Sequence, residues 1–204
     1  MKTLALKPKT LVQVVYAPTT PWRRLALAAF GAVMVALLAQ VSLRLPFTPV
    51  PLTGQTLGVL LVGATLGSAL GFRSLALYLL AGAAGMPVFA GGGAGIGWLL
   101  GPSGGYLLAF PLAAWLVGYL VERFGADRRP LAALAAMLAA SSVIYLGGLV
   151  WLGVYLAAAG QAGGLQQLLE LGFYPFALGD LVKAALAAGL LPGAWKLARA
   201  FGRL

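Results

Sequence analysis

Long apolar runs, separated by short polar or glycine- and proline-rich stretches, fill the chain from Leu25 onward. The first covers about Leu25 to Val41 and ends near Arg44-Leu45-Pro46, after which Pro46, Pro49 and Pro51 hold the backbone extended. Two shorter runs follow, at about Thr56–Leu70 and Leu75–Phe89, with Gly71-Phe72-Arg73 predicted as the turn between them. Gly82, Gly85 and Pro87 interrupt the third run, which leads into the glycine-dense stretch from Ala90 to Gly97. The fourth lies at about Tyr106–Val121, the fifth at Leu131–Ala158 and, beyond a polar loop from Gly160 to Gly172, the sixth at Tyr174–Leu197. A helix needs roughly 20 apolar residues to cross a bilayer. The longer runs approach that length, and the shorter two also have the size of re-entrant segments. The pattern predicts an all-α integral membrane protein with six transmembrane helices.

Residues 1–21 form a polar leader carrying Lys2, Lys7, Lys9, Pro18 and Pro21. The apolar run behind it begins too late and is too long for the 7–15-residue core of a secretory signal. The leader is therefore read as a cytoplasmic N-terminal arm along the membrane surface, and residues 22–204 as a single six-helix membrane domain.

Charge orients the spans. With the amino terminus inside, the cytoplasmic segments hold Lys2, Lys7, Lys9, Arg23, Arg24, Arg73, Arg123, Arg128, Arg129, Lys196, Arg199 and Arg203. The outer segments hold Arg44 alone, and Lys183 falls within the sixth run. So strong a bias obeys the positive-inside rule and predicts that both termini are cytoplasmic. It also accounts for the net charge of +10 without nucleic acid, whose binders need a continuous basic face.

Composition narrows the function classes. Hydrophobic residues make up 61% of 204 and charged residues 9%, where soluble domains carry about a quarter charged. The mean hydropathy of +0.95 makes lipid the solvent of most of the surface. The chain has no His, Cys or Asn, which excludes thiolate and imidazole metal sites, Ser-His-Asp and Cys-His catalysis, and disulfides. Its four acids, Glu122, Asp127, Glu170 and Asp180, are too few and too scattered for a metal cluster. No Gly-x-x-x-x-Gly-Lys-Ser/Thr occurs, so the chain cannot bind ATP through a P-loop of its own. No metal or cofactor is expected.

Asp180 and Lys183 lie three apart in the sixth run, on one helix face and about 9 Å inward from Tyr174 by helical rise. Charges within a membrane are costly and usually face an interior site. Two readings remain: a salt bridge that merely neutralises both groups, or a ligand site open to the outer side. In the first outer loop, Thr53 either caps the next helix or joins Gln55, whose amide both accepts and donates, in holding an uncharged polar group. The stretch Gly101-Pro102-Ser103-Gly104-Gly105-Tyr106 permits close backbone approach. Phe89, Trp98, Tyr106, Trp151 and Tyr174 gather at the predicted outer ends, as interface aromatics or as pocket walls. Ala28, Ala32 and Ala36 form a ridge of small residues that admits a close neighbour, either another subunit or a helix of this chain.

Four motifs carry a resemblance: Pro49-Val50-Pro51-Leu52-Thr53-Gly54-Gln55-Thr56, Gly82-Ala83-Ala84-Gly85-Met86-Pro87-Val88-Phe89, Gly101-Pro102-Ser103-Gly104-Gly105-Tyr106-Leu107 and Gly179-Asp180-Leu181-Val182-Lys183. In this order, over about Leu25 to Leu197, they resemble the BioY family, the biotin-binding S components of energy-coupling factor (ECF) transporters. Ser103 stands where threonine is common in that family. The resemblance implies a multi-pass subunit of a prokaryotic plasma membrane that captures biotin from outside and is not an enzyme. Its partners would be a membrane coupling subunit and a pair of cytoplasmic ATPases. Asp180, Gln55 and Lys183 would meet the polar groups of biotin, with Thr53, Ser103 and Gly105 beside them, while Phe89, Trp98 and Tyr106 would enclose its apolar body. Ala28, Ala32 and Ala36 would face the coupling subunit. The alternatives are an S component for another small vitamin, or a membrane enzyme of unknown chemistry.

Overall fold

The computed structural model describes residues 10–16 and 20–200; Lys2, Lys7, Lys9 and Arg203 of the charge pattern lie outside them. In chain order the described elements are α1 (Leu11–Val15), α2 (Pro21–Gln40), the two-residue strands β1 (Ser42–Leu43) and β2 (Leu52–Thr53), α3 (Gln55–Leu66), α4 (Ser68–Ala83), α5 (Ile96–Leu100), α6 (Gly104–Phe124), α7 (Pro130–Ala158), α8 (Gly164–Gly172) and α9 (Tyr174–Ala200). Short 3₁₀ turns occupy Ala90–Gly92 and Ala126–Arg128.

Each predicted apolar run carries a helix. Among the described residues, only α2, α6, α7 and α9 are long and apolar enough to cross a membrane; α3 and α4, at 12 and 16 residues, are apolar but shorter. The packed interior is built from Val35, Val59, Leu60, Leu75, Val117, Met137 and Leu152, all essentially fully buried. Phe30, Leu37, Leu112, Val150, Leu178 and Leu186 point outward instead. Large apolar side chains on the outside of so many helices suit a hydrocarbon surround.

The joint between α3 and α4 differs from the expected turn at residues 71–73. The chain bends at Gly67, whose φ of +88° lies in the region that favours glycine. Glu122, near the end of α6, holds the bend by accepting the Ser68 N–H at 3.1 Å and its hydroxyl at 2.6 Å. A carboxylate at the first turn of α4 also complements the positive end of the helix dipole. Gly118 of α6 supplies the necessary closeness, since a Cβ there would stand 2.4 Å from the Gly67–Ser68 backbone. Gly71 is accordingly inside α4, facing Gly63 of α3.

The first helix also ends sooner than expected, at Gln40, because residues 42–43 leave it to pair antiparallel with 52–53 (Ser42 opposite Thr53, Leu43 opposite Leu52). The third run stops being helical at Ala83, short of Phe89. The polar loop before the sixth run contains α8, whose end is tied down by hydrogen bonds from Thr48 Oγ1 to the Leu171 carbonyl (2.6 Å) and from Tyr106 Oη to the Gly172 carbonyl (2.7 Å).

The alanine ridge of α2 turns inward. Ala28 and Ala32 are 4% and 7% exposed and Ala36 is half-buried, and α2 packs this side, with Gly31 and Val35, on α3 and α4. The close approach that small residues permit is taken by helices of this same chain, so the ridge is not an open surface for the coupling subunit.

The end of the bundle that holds the α3–α4 joint carries a second polar knot. Trp195 Nε1 of α9 donates to Asp127 Oδ2 at 2.5 Å, and the Arg128 guanidinium lies 4.6 Å from the centre of the Trp195 ring. Asp127 is fully buried, and the loss of water raises its carboxyl above the ordinary range of an aspartate, against the lowering effect of Trp195 and Arg128. Thr10 caps α1 in a reciprocal box with Gln13, and its methyl group approaches Gly67. This part of the leader is docked on α3 and α9.

Candidate binding site

The opposite end of the bundle encloses a pocket. The extended segment Val50–Thr53 supplies one wall, and Gln55 and Thr56 open α3 at its base. Trp98 from α5, Ser103, and Tyr106, Leu107 and Phe110 from α6 form a second wall. Ile144 and Tyr145 of α7, with Phe176, Asp180 and Lys183 of α9, complete it. The enclosed free volume is about 50 Å³, room for a few waters at roughly 10–15 Å³ each. A ring-sized ligand needs more room than this, so the walls must part to admit it, and Trp98 in one of them packs closely over Gly93 of the glycine-rich segment before α5.

A polar cluster lies at one side. Asp180, 8% exposed, accepts three hydrogen bonds: Thr56 Oγ1 (2.9 Å) and Lys183 Nζ (2.8 Å) on Oδ1, and Tyr145 Oη (2.7 Å) on Oδ2. Lys183 Nζ also donates to the Thr53 carbonyl (2.6 Å) and to Thr56 Oγ1 (3.1 Å). The ammonium thereby spends its three protons on fixed acceptors. Two charges so paired leave the pocket electrically neutral, which offsets part of the large cost of burying either one. Asp180 Oδ2 has one described donor against two lone pairs, so it retains capacity to accept from a ligand.

The helix start beside the cluster is equally committed. Gln55 N donates to Thr53 Oγ1 (3.3 Å), whose hydroxyl donates in turn to Gln55 Oε1 (2.9 Å). Gln55 Nε2 donates to Tyr78 Oη (2.5 Å), which donates to the Val88 carbonyl (3.1 Å). One Nε2 hydrogen of Gln55 has no described acceptor. The pocket thus combines apolar and aromatic walls, a neutralised carboxylate with accepting capacity, and an amide with a spare proton. That set fits a compact, uncharged, hydrogen-bonding ring system rather than a metal or a phosphate.

Of the residues expected at the site, Thr53, Gln55, Trp98, Ser103, Tyr106, Asp180 and Lys183 come together around this pocket. Phe89 and Gly105 do not line it. Phe89 is buried behind the wall, edge-on to Tyr78 with ring centres 5.5 Å apart, and sits over Gly82. Gly105 is where α6 meets α7, with a Cβ there falling 2.2 Å from that of Trp151. Thr56, Tyr145, Phe110, Ile144 and Phe176 line the pocket without having been singled out. Ser141 and Tyr145, four apart and hence on one face of the fifth run, are the one sequence signal that could have directed attention to α7.

The family model for the BioY family matches residues 8–200. The chain belongs to the BioY family. Among curated relatives, the family member described as a probable biotin transporter in Pyrococcus horikoshii is 39% identical over 166 residues, covering 81% of this chain and 91% of that one. The biotin transporter BioY of Rhizobium etli is 35% identical over 167 residues, covering 79% and 86%. That of Thermotoga maritima is also 35% identical, covering 81% and 92%. Among solved structures, the crystal structure of the S-component for biotin from an ECF-type ABC transporter superposes with a TM-score of 0.76 at 26% identity, over 86% of this chain and 92% of that one. The four-plus-two set of apolar helices is thus accompanied by the overall path of a known S-component fold.

Proposed function

We propose that this chain captures biotin at the outer face of a prokaryotic plasma membrane, as the S component of an ECF-type ABC transporter. The observation that carries the reading is the Asp180 cluster. Thr56, Tyr145 and Lys183 hold one carboxylate in place beneath apolar walls, with an acceptor position left over. The ureido ring of biotin offers two N–H donors and a carbonyl, which suit Asp180 Oδ2 and the spare Gln55 Nε2 proton. The fused sulfur-containing ring suits Trp98, Tyr106, Phe110 and Phe176. Bearing the substrate and leaving hydrolysis to others agrees with the missing P-loop, so the chain is a transport subunit that works with a coupling subunit and an ATPase pair. The relatives' descriptions as biotin transporters support the same reading.

In the proposed topology, α2, α3, α4, α6, α7 and α9 make six passes with both termini in the cytoplasm. Arg23 and Arg24 at the start of α2, Arg123 at the end of α6 and the Asp127–Trp195 knot then lie inside, and the pocket outside. Saturable one-to-one binding of radiolabelled biotin to the purified protein in nanodiscs, unaffected by excess thiamine or riboflavin, is the expected result. Absence of saturable binding refutes the function. The topology is tested by single cysteines, which meet no native thiol: from outside intact cells, an impermeant reagent should label position 166 and not position 128.

A further inference from the structure

Next to the pocket lies a larger recess with about 420 Å³ of free space, lined by Arg44, Thr48, Pro49, Gly101 and Pro102 among others. Pro51, Trp98 and Ser103 line both cavities, so one layer of side chains is all that separates them. The two differ in what they can do with charge. Inside the pocket the cation is Lys183, and its three protons already serve Thr53, Thr56 and Asp180. A ligand carboxylate placed there would have to break one of those bonds and would sit against the Asp180 charge. In the recess the cation is Arg44, on the exposed segment after β1, which forms no ion pair with an acid among the described residues. A guanidinium presents paired N–H groups in a fork that matches a carboxylate.

We propose that this recess is a second subsite, which receives the carboxylate-bearing tail of the ligand, and that Arg44 reads the charge of that tail. The assignment rests on the biotin reading given above and adds an orientation to it: ureido ring against the Asp180 cluster, tail through the Trp98–Ser103 layer toward Arg44. It also defines a selectivity. The recess is far roomier than a carboxylate needs, so a tail converted to an amide still fits and loses only its charge. Discrimination between the free acid and its amides is therefore electrostatic, not steric.

The test measures Kd for biotin and for biotinamide, whose tail ends in a primary amide, on the full chain in nanodiscs. The wild-type protein should prefer biotin by about fivefold, the upper end for a solvent-exposed ion pair. Arg44→Gln should bring the two ligands within about twofold by weakening biotin alone, and Arg44→Lys should recover part of the preference. Raising the ionic strength should erode the wild-type preference, because an exposed pair is screened. Equal affinity of the wild-type protein for both ligands overturns the subsite, as does an unchanged preference in Arg44→Gln. Failure of the wild-type protein to bind either ligand overturns the biotin reading itself, and the subsite with it.

Discussion

Replacing Asp180 by Asn keeps the size of the side chain and one acceptor oxygen, yet it removes the charge on which three donors converge. Thr56, Tyr145 and Lys183 all point at this carboxylate from 2.7 to 2.9 Å. An amide has a single oxygen, so at least one of the three donors is left facing an NH₂ group. Lys183 keeps the Thr53 carbonyl and Thr56 hydroxyl but loses its counter-charge in a half-buried site. The proposed ligand N–H loses its charged acceptor as well. Truncating one partner of a buried hydrogen-bonded charge set costs about 2–5 kcal/mol. At about 1.4 kcal/mol per decade, biotin should bind between thirtyfold and several thousandfold more weakly. Lys183→Met should weaken binding too, since an unpaired carboxylate no longer offers Oδ2 in its fixed position. Equilibrium binding in nanodiscs gives the affinities, and ligand-free melting separates lost binding from lost folding. A purely structural ion pair makes the opposite prediction. Each single variant would then melt early, the double variant Asp180→Asn with Lys183→Met would recover stability, and all would bind normally per folded molecule. That combination would refute the assignment of the pair to the site.

Tyr145→Phe removes only the hydroxyl that holds Asp180 Oδ2; a hydrogen bond to a charged group is worth about 1.5–3 kcal/mol of stability, so the ligand-free melting temperature should fall by several degrees, and biotin should bind more weakly because Oδ2 loses its fixed position. Gly82→Ala would place a Cβ 2.1 Å from the buried Phe89 ring, an overpacking that costs about 1–3 kcal/mol and should lower the ligand-free melting temperature by several degrees. Asp127 tests pH linkage: its carboxyl is raised in the folded state, so the folded protein holds the proton more tightly, and stability from this group is greatest below the ordinary value of 3.8 and declines as pH rises above it. Asp127→Asn, which retains an acceptor for Trp195, should flatten the dependence of melting temperature on pH above about 4, and an unaltered slope would show that burial does not perturb this acid.

Much of the helical plan is written locally. Pro130 opens α7 and an unbroken apolar run continues to Ala158, so its bounds differ by one residue from those the pattern suggests. The start of α9 at Tyr174 is equally plain. The α3–α4 joint is not, because Gly67 and Gly71 look alike in sequence and the choice between them falls to Glu122 and Gly118, more than fifty residues away. The alanine ridge shows the same limit. Small residues state that something comes close, and only the tertiary structure shows that it is α3 and α4. At the site, Asp180 and Lys183 are conspicuous because charge is rare in this chain. Tyr145 is not, since an aromatic residue in a span reads equally well as a lipid contact. Phe89 and Gly105 belong to motifs adjacent to the pocket, but neighbours along an irregular backbone do not share a direction. Each serves the packing behind the wall.

The brevity of α3 has a mechanical consequence. Twelve residues rise about 18 Å, against a hydrocarbon thickness of about 30 Å. In the proposed topology the far end of α3 sits at the inner boundary beside Glu122, so its first turn, with Gln55 and Thr56, stops roughly 12 Å short of the outer one. The space above is filled by the β1–β2 clasp, α5 and α8, which act as a plug rather than as a span. A molecule seated on Thr56 and Asp180 has therefore already sunk more than a third of the way through the barrier before any ATP is spent. What remains for the transporter is a shorter passage than the membrane's thickness suggests, and the plug lies on the side from which the molecule enters.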